Sequence, residues 1–444
     1  MSLFYPYNST MFNIVLTSTC NLSCNYCFAE KFMGEDALSN LPPDRLITEP
    51  NFDYILKLLA DSKIKHASLL GGEPTLHPLF NKFAKKVISQ GLYLSVKTNA
   101  MWNRGFLKLF EGVDMDKLNL HININGPEHL GDKEWEKVQK NVREASKHCQ
   151  SIVLQVNITN INFKYQEILK LAKEIKVEGI TWSPAVPIYN YSKNESLNKS
   201  DYSRHLSHRL MQMFEECAQN KIPVMGLHGP TPCMFSKEQL KWLNENQITI
   251  NSHCFPVFDI FPDLTTHYCF PLKDFQKHIN LKDYKSMKAV EYALQKDVQL
   301  IRPKVYPWKE CVSCEFALDN SCQGGCMAAS DFLKEFENMP LDILEDIPHK
   351  VYDSQAYEDK KFLRWDFEKE FLVYHSQYAE IYKAIVKAIN SKNSIQEIIT
   401  KVGDGSELMA NYIQLIIKNM LFERYIVFIP RQHSQMRDNP FGTK

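Results

Sequence analysis

The feature that most constrains this fold is an alternation of short β-rich runs and longer amphipathic runs between residues 11 and 184. Six such pairs occur, each occupying about 30 residues, the usual size of a strand–helix–strand unit. Parallel neighbours need a long crossover connection, and the amphipathic runs provide it. The sequence therefore predicts an α/β fold whose first domain is a partial (β/α)6 barrel.

Polar or glycine-rich segments follow each predicted strand. In chain order they are CNLSCNYC, GGEPTLHP, TNA, NINGP, NITN and SPAVP. In β/α barrels the site is built at the carboxyl ends of the strands by the loops that follow them. We therefore expect all six segments to surround one site.

Charge and hydropathy narrow the class of protein. Lys plus Arg number 52 and Asp plus Glu number 52, so no overall field attracts nucleic acid or an anionic membrane. We find no signal peptide and no apolar run long enough for a membrane helix. These features predict a cytoplasmic protein without a membrane or nucleic-acid partner.

The chain has twelve cysteines. In a reducing compartment clustered cysteines bind metal more often than they form disulfides. The isolated Cys149 and Cys217 lie in helical patterns and are predicted to be small buried apolar residues.

Cys20, Cys24 and Cys27 lie on the loop after the first predicted strand. Three thiolates on one loop can hold three irons of a 4Fe-4S cluster and leave the fourth iron open. Zinc is the alternative, but a closed zinc site needs a fourth Cys or His, and no His lies near this loop.

The spacing Cys20-x3-Cys24-x2-Cys27, with Tyr26 before the last cysteine, resembles the signature of the radical S-adenosylmethionine (SAM) superfamily. The next loop is similar to the GGE motif of that superfamily. The resemblance implies that this strand edge binds the ammonium group of the methionine moiety, with Glu73 pairing to it. The residues of this second motif are Gly71, Gly72, Glu73 and Pro74.

The resemblance also implies contacts to the ribose, carboxylate and adenine of SAM from five further positions. Ordinary turn and cap roles are the alternative for each of them. These positions are Thr98, Asn99, Asn123, Asn125 and Asn157. The implied chemistry is reductive cleavage of SAM to a 5′-deoxyadenosyl radical that abstracts hydrogen, with a flavodoxin or ferredoxin-type protein as electron donor.

A second cysteine group lies beyond residue 230 and resembles the SPASM extension, which carries auxiliary 4Fe-4S clusters. Its pattern is Cys254-x14-Cys269, followed by Cys311-x2-Cys314-x7-Cys322-x3-Cys326. Two departures are the long spacing before Cys322 and the lack of any cysteine after Cys326.

The resemblance implies two auxiliary clusters. The first would use Cys254, Cys269 and Cys326, with Cys233 as a plausible fourth ligand. The second would use Cys311, Cys314 and Cys322 and lacks an obvious fourth ligand, so an open iron, a non-cysteine ligand and the absence of this cluster are its three alternatives. One cluster held by Cys254, Cys269, Cys311 and Cys314, or one zinc ion, are the alternatives.

Residues 340–430 predict a hairpin, three helices and a closing strand, which together make a small winged-helix-like module. Residues 351–430 hold ten Lys plus Arg and eleven Asp plus Glu, which disfavours DNA binding. The module is similar to the PqqD-like element of peptide-modifying radical enzymes, which adds a leader peptide to its sheet as a strand. A stabilising cap is the alternative.

The predicted domains are 1–230 for the barrel, 231–335 for the cysteine-rich extension, 340–430 for the winged-helix-like module and 431–444 for a tail. We expect an enzyme that modifies a ribosomally made peptide by forming a thioether, a carbon–carbon crosslink or an epimer. A radical SAM dehydrogenase or rearrangement enzyme acting on a small molecule is one alternative. A non-catalytic iron-sulfur redox sensor is the other.

Overall fold

A computed structural model gives the structure of most of the chain. It describes residues 11–29, 46–188, 195–197, 204–250, 252–253, 257–272, 278–301, 307–319, 321–330, 341–343, 349–352, 363–366, 371–375, 379–390, 392–422 and 426–428. One compact unit contains Met1–Asp331 and a second contains Phe332–Met436. The barrel and the cysteine-rich segment thus belong to one unit, and their predicted boundary near residue 230 stays a prediction. The predicted tail lies outside the described residues.

A single sheet organises the described part of the first unit. Its strands are β1 (Met11–Val15), β2 (His66–Leu70), β3 (Tyr93–Thr98), β4 (Leu118–Asn123), β5 (Ile152–Ile158), β6 (Gly179–Pro184), β7 (Val224–Gly226), β8 (Thr249–Ile250), β9 (Val257–Ile260), β10 (Thr265–His267) and β11 (Ile279–Asn280). The spatial order is β11-β10-β9-β1-β2-β3-β4-β5-β6-β7-β8. From β9 to β8 every pair is parallel, while β10 and β11 are antiparallel. The predicted α/β class and the six parallel strands are confirmed.

Helices connect the strands and flank the sheet. They are α1 (Glu49–Asp61), α2 (Phe80–Ser89), α3 (Pro127–Leu130), α4 (Asp132–Ser146), α5 (Gln166–Ile175), α6 (Arg204–Gln219), α7 (Lys237–Glu245), α8 (Met287–Ile301) and α9 (Glu315–Leu318). The start of α1 shows how local sequence begins a helix. The Thr48 side chain caps it by accepting a hydrogen bond from the Asn51 N–H, and Pro50 occupies the first turn. Its apolar residues, such as Phe52 and Leu59, are fully buried.

Five strands extend the sheet beyond the six predicted units. β7 and β8 continue it at one edge, and β9, β10 and β11 continue it at the other, where β9 pairs in parallel with β1. Strands of two to four residues are too short to show a period-two pattern. The β9 pairing joins Asn13 to Asp259, 246 residues away, so no local signal could reveal it.

The second unit contains the predicted winged-helix-like elements. β12 (Leu341–Ile343) pairs with β16 (Ile426–Phe428), and β15 (Phe371–His375) lies between β13 (His349–Tyr352) and β14 (Leu363–Asp366). Its helices are α10 (Ala379–Ala388), α11 (Ile395–Val402) and α12 (Glu407–Phe422). The predicted capping box at the start of α11 is present, with both hydrogen bonds between Ser394 and Glu397.

No helix in the described residues is long and apolar enough to cross a membrane. The two isolated cysteines have the predicted burial, since Cys149 and Cys217 expose 1% and 0% of their surface.

Candidate active site

The three-cysteine loop lies at the carboxyl end of β1 and receives hydrogen bonds from two other loops. The Asn99 side-chain amide, after β3, donates to Cys20 Sγ at 3.7 Å, and that of Asn125, after β4, donates to Cys24 Sγ at 3.6 Å. Burial raises the pKa of the Cys20 and Cys24 thiols. Amide donors aimed at the sulfur atoms oppose that effect because they favour the thiolate. Two of the asparagines predicted to contact SAM therefore contact the cysteines.

The two glycines of the second loop allow it to lie directly against the first. Gly72 N donates to Thr17 O at 2.9 Å, and Glu73 N donates to Thr19 O at 2.8 Å. A Cβ atom on Gly71 would lie 2.4 Å from Thr17 O, and one on Gly72 would lie 2.3 Å from Thr19 O. Any side chain at either position would therefore displace the backbone that leads into the cysteine loop.

Glu73 is fully enclosed beneath these loops. Its carboxylate accepts hydrogen bonds from Thr75 Oγ1 at 2.6 Å, Thr98 Oγ1 at 2.8 Å and the Asn99 backbone N–H at 2.8 Å. Burial raises its pKa, and these donors oppose the rise. In this structure the carboxylate joins the loops after β2 and β3, with Pro74 opening the short turn between them. Its contact with the SAM ammonium stays a prediction.

Further hydrogen bonds join the remaining predicted residues. The Tyr26 hydroxyl donates to Asn125 Oδ1, and burial raises the pKa of Tyr26 well above its usual value. The Asn157 side chain donates to Asn123, and Ser183 Oγ donates to Asn157 Oδ1 at 3.3 Å. The predicted residues after β1 to β5 thus gather at one end of the sheet.

In the second cysteine group Cys233 lies within electrostatic range of Cys311, and the ligand grouping expected from the sequence stays a prediction. The Cys311 thiol lies within electrostatic range of Cys233, Cys322 and Cys314, and burial together with these neighbours raises its pKa to about 12. The grouping expected from sequence placed Cys233 with Cys254, Cys269 and Cys326. Cys254 lies outside the described residues.

Local geometry near Cys322 and Cys326 also suits thiolate ligands. The Gly324 backbone N–H donates to Cys322 Sγ at 3.3 Å, which requires the left-handed conformation at Gly324 (φ 74°). Gly229 packs against Cys326, where an added Cβ would lie 2.1 Å from the Cys326 nitrogen. The loop that carries Cys233 therefore also lies beside the last cysteine.

In the described residues no three His, Cys, Asp or Glu side chains converge tightly enough to ligate one metal ion. A single zinc ion would draw its sulfur ligands to about 2.3 Å from one point. A cubane binds each thiolate through a different iron, so its ligands stand further apart. Three thiols on one loop, two of which accept amide hydrogen bonds, fit a cubane that binds each thiolate through a different iron.

Polar residues inside the barrel were not identified from the sequence. The most prominent are Lys97 on β3, His121 on β4 and Asp259 on β9. The available signal was the polar residue at every second position of the central strands, as in LSVKT and LNLHIN. Such residues face one side of a strand, and here that side is the barrel interior.

Comparison with known proteins points to a family for the N-terminal region. Residues 14–175, from β1 to the end of α5, match the model described as the Radical SAM superfamily. This region is similar to that superfamily. It binds a 4Fe-4S cluster and SAM, as the match implies, and the thiol and amide groups of the cysteine loop fit that cluster.

Two relatives by sequence act on small molecules or cofactors, to judge by their names. A GTP 3′,8-cyclase from Sulfurimonas denitrificans is 26% identical over 229 residues, covering 50% of this chain and 68% of that protein. The tungsten-containing aldehyde ferredoxin oxidoreductase cofactor-modifying protein of Pyrococcus furiosus is 29% identical over 252 residues, covering 52% of this chain and 68% of that protein.

Two solved structures share the fold over more of the chain. Streptococcus suis SuiB bound to its precursor peptide SuiA aligns with a TM-score of 0.52 at 16% identity, covering 72% of each chain. The structure of anSMEcpe with AdoMet and the Cp18Cys peptide aligns with a TM-score of 0.51 at 19% identity. It covers 74% of this chain and 97% of that chain. At these identities the likeness extends to the fold alone.

Proposed function

We propose that this radical SAM enzyme modifies a ribosomally made peptide by hydrogen abstraction. The observation that carries the proposal is the shared fold over 72% of both chains with SuiB, which was crystallised with its precursor peptide. The bound cluster and SAM supply the radical chemistry, and the protein positions the reactants and excludes water. A flavodoxin or ferredoxin-type protein is the proposed electron donor.

The residues on the loops at the carboxyl ends of β1 to β5, here called the mouth, have separate roles in this proposal. Cys20, Cys24 and Cys27 hold the cluster, and the amides of Asn99 and Asn125 stabilise the negative charge on its thiolates. Glu73 keeps the second and third loops together and is the proposed partner of the SAM ammonium. Asn123 and Asn157 are the proposed contacts to the ribose and adenine.

The second unit supports peptide recognition. Its three-stranded sheet has the order β13-β15-β14, so two outer strands present an edge within the described residues. A peptide can add to such an edge by main-chain hydrogen bonds. We propose that this PqqD-like unit binds a leader segment, while a stabilising cap is the alternative.

Separating the two units tests this role. We expect a chain ending at Asp331, just before the second unit begins, to cleave SAM without substrate at about the rate of the full chain. Its turnover of a leader-bearing precursor encoded beside the gene should fall at least about 100-fold, because a lost binding contact of about 2.7 kcal/mol has that effect. Full-rate modification by the shortened chain would refute the leader-binding role.

A small-molecule substrate is the second candidate, favoured by the GTP 3′,8-cyclase relatives. Mass spectrometry of reactions with the precursor peptide and with GTP distinguishes the two candidates. A mass change in the peptide supports the proposal, whereas consumption of GTP alone favours the alternative. Failure to form 5′-deoxyadenosine under any condition would instead favour the redox sensor.

The second cysteine group is proposed to hold at least one SPASM-type auxiliary cluster. The grouping around Cys311 makes Cys233 a candidate for the missing fourth ligand of the cluster at Cys311, Cys314 and Cys322. Cys269, Cys326 and Cys254 would serve the other cluster.

Iron analysis in a chain that lacks the three N-terminal cysteines tests these ligands. We expect about eight irons for two auxiliary clusters and about four for one. Adding Cys233→Ala should remove up to about four of them, since a cluster that loses a thiolate ligand is less stable. Cys217→Ala is the matched control, because Cys217 is buried in α6 away from both groups. An iron-free chain that contains zinc would refute the auxiliary-cluster assignment.

A further inference from the structure

The interior of this barrel is polar at positions where β/α barrels usually carry branched apolar side chains. Hydrogen bonds run from strand to strand across it, including Ser95 to Asn119 at 3.3 Å and Gln155 to Ser183 at 2.9 Å. Strand residues between them, such as Val96, are buried and apolar and face the other side. A polar interior is typical of a chamber that holds water or a ligand rather than of a packed core.

Lys97 is the notable member of this chamber. It lies on β3 next to His121 on β4 in the strand register. Its side chain is half-buried, and within the described structure its amino group makes neither a hydrogen bond nor an ion pair. Burial lowers the pKa of Lys97, because a cation removed from water without a partner is unfavourable.

The titratable groups around Lys97 are two imidazoles and one carboxyl group. Burial lowers the pKa of His121 to about 3 and that of His228 to about 4, so both imidazoles are neutral near pH 7. The Asp259 carboxyl accepts a hydrogen bond from Asn13 at 2.7 Å, and burial raises its pKa to about 7. Asp259 attracts Lys97 without forming an ion pair with it in the described residues.

The polar interior reaches the surface at one residue and contains an unsatisfied polar atom. His228, whose pKa burial lowers, exposes more than a third of its surface. On β2, the Ser68 hydroxyl is buried without a hydrogen-bond partner among the described groups. A hydroxyl and an ammonium group that both lack partners are the donors that an oxyanion requires.

We propose that the barrel interior binds an oxyanion of the substrate, a carboxylate or a phosphate, through the amino group of Lys97. This site is distinct from the Glu73 region, because Lys97 and Thr98 are adjacent strand residues whose side chains point to opposite faces. The proposal applies to a peptide with an acidic side chain or terminus and to a small acid or nucleotide alike. It therefore does not depend on the substrate being a peptide.

Protection of Lys97 from chemical modification tests the proposal in the intact holoenzyme. Reductive methylation is followed by mass spectrometry in chloride, acetate or inorganic phosphate at equal ionic strength. We expect acetate or phosphate to slow methylation of Lys97 at least about tenfold relative to chloride, equivalent to about 1.4 kcal/mol. The exposed Lys57 on α1 should react at the same rate in all three salts. Stronger protection by acetate indicates a carboxylate ligand, and stronger protection by phosphate indicates a phosphate ligand.

Variants test whether the positive charge of Lys97 is needed for the stabilisation by acetate or phosphate. Acetate or phosphate should raise the thermal midpoint of the wild type, of Lys97→Arg and of the matched control Lys57→Met, but not of Lys97→Met. Equal stabilisation of Lys97→Met, or no protection by either anion, would overturn the proposal. So would weaker SAM binding in Lys97→Met, because the lysine would then serve the carboxylate of the cofactor. These readouts need no modified product, so they are separate from the test of peptide modification.

Discussion

Replacing Cys20, Cys24 and Cys27 together with alanine is expected to abolish 5′-deoxyadenosine formation and to remove about four irons per chain. The three thiols lie on one loop, and two of them accept amide hydrogen bonds from neighbouring loops. No other described cysteine lies on this loop to replace them. Iron analysis and chromatography of the reduced protein with SAM measure both effects.

Cys149→Ala is a suitable control for this change. Cys149 is buried at the end of the barrel, and its thiol donates to backbone carbonyls rather than facing the mouth. We expect this variant to keep its full iron content and its SAM cleavage. Survival of SAM cleavage in the triple variant would refute the assignment of the cysteine loop.

Gly72→Ala is expected to lower SAM cleavage at least about 100-fold, which corresponds to about 2.7 kcal/mol in the activation barrier. The added Cβ would lie 2.3 Å from Thr19 O and 2.9 Å from Cys20 Cβ. Because backbone atoms cannot avoid such an overlap, the loop that carries Cys20 must move away. Overpacking of this kind costs about 1–3 kcal/mol in stability. Iron content and the rate of 5′-deoxyadenosine formation give the measurement.

Gly105→Ala is the matched control for Gly72→Ala. Gly105 follows β3, and a Cβ atom there would meet nothing within 4 Å. We expect this variant to behave like the wild type in iron content, cleavage rate and thermal midpoint. If Gly72→Ala also behaves like the wild type, the close approach of the two loops is not needed for the cluster site.

Local patterns in the sequence were sufficient to predict much of the fold. The six parallel strands follow from alternating β-rich and amphipathic runs, and the capping box at Ser394 follows from a four-residue pattern. Both depend on residues close together in the chain, where spacing alone decides which side chains can meet. The three-cysteine loop and the GGE motif are likewise defined by residues that lie close together in the chain.

The partners within the site could not be predicted in this way. The SAM contacts expected of Asn99 and Asn125 stay predictions, but the hydrogen bonds that their amides donate to Cys20 and Cys24 had no signal in the sequence. The pairing of Glu73 with the SAM ammonium also stays a prediction, but its complete burial and its hydrogen bonds from Thr75, Thr98 and Asn99 had no signal in the sequence. Such partners depend on how closely neighbouring loops approach, which the spacing of residues does not encode.

The sequence by itself thus determined the six strands β1 to β6, their parallel arrangement and the loop that carries the cluster ligands, because these depend on local periodicity and spacing. Only the tertiary structure decided that β9 lies beside β1 and brings Asp259 to Asn13 across 246 residues. Only the tertiary structure also placed Lys97 in a polar interior, where the described residues give its amino group no hydrogen bond. The physical reason is that burial and hydrogen bonding depend on which distant segments meet, and strand register fixes that only after the sheet has formed.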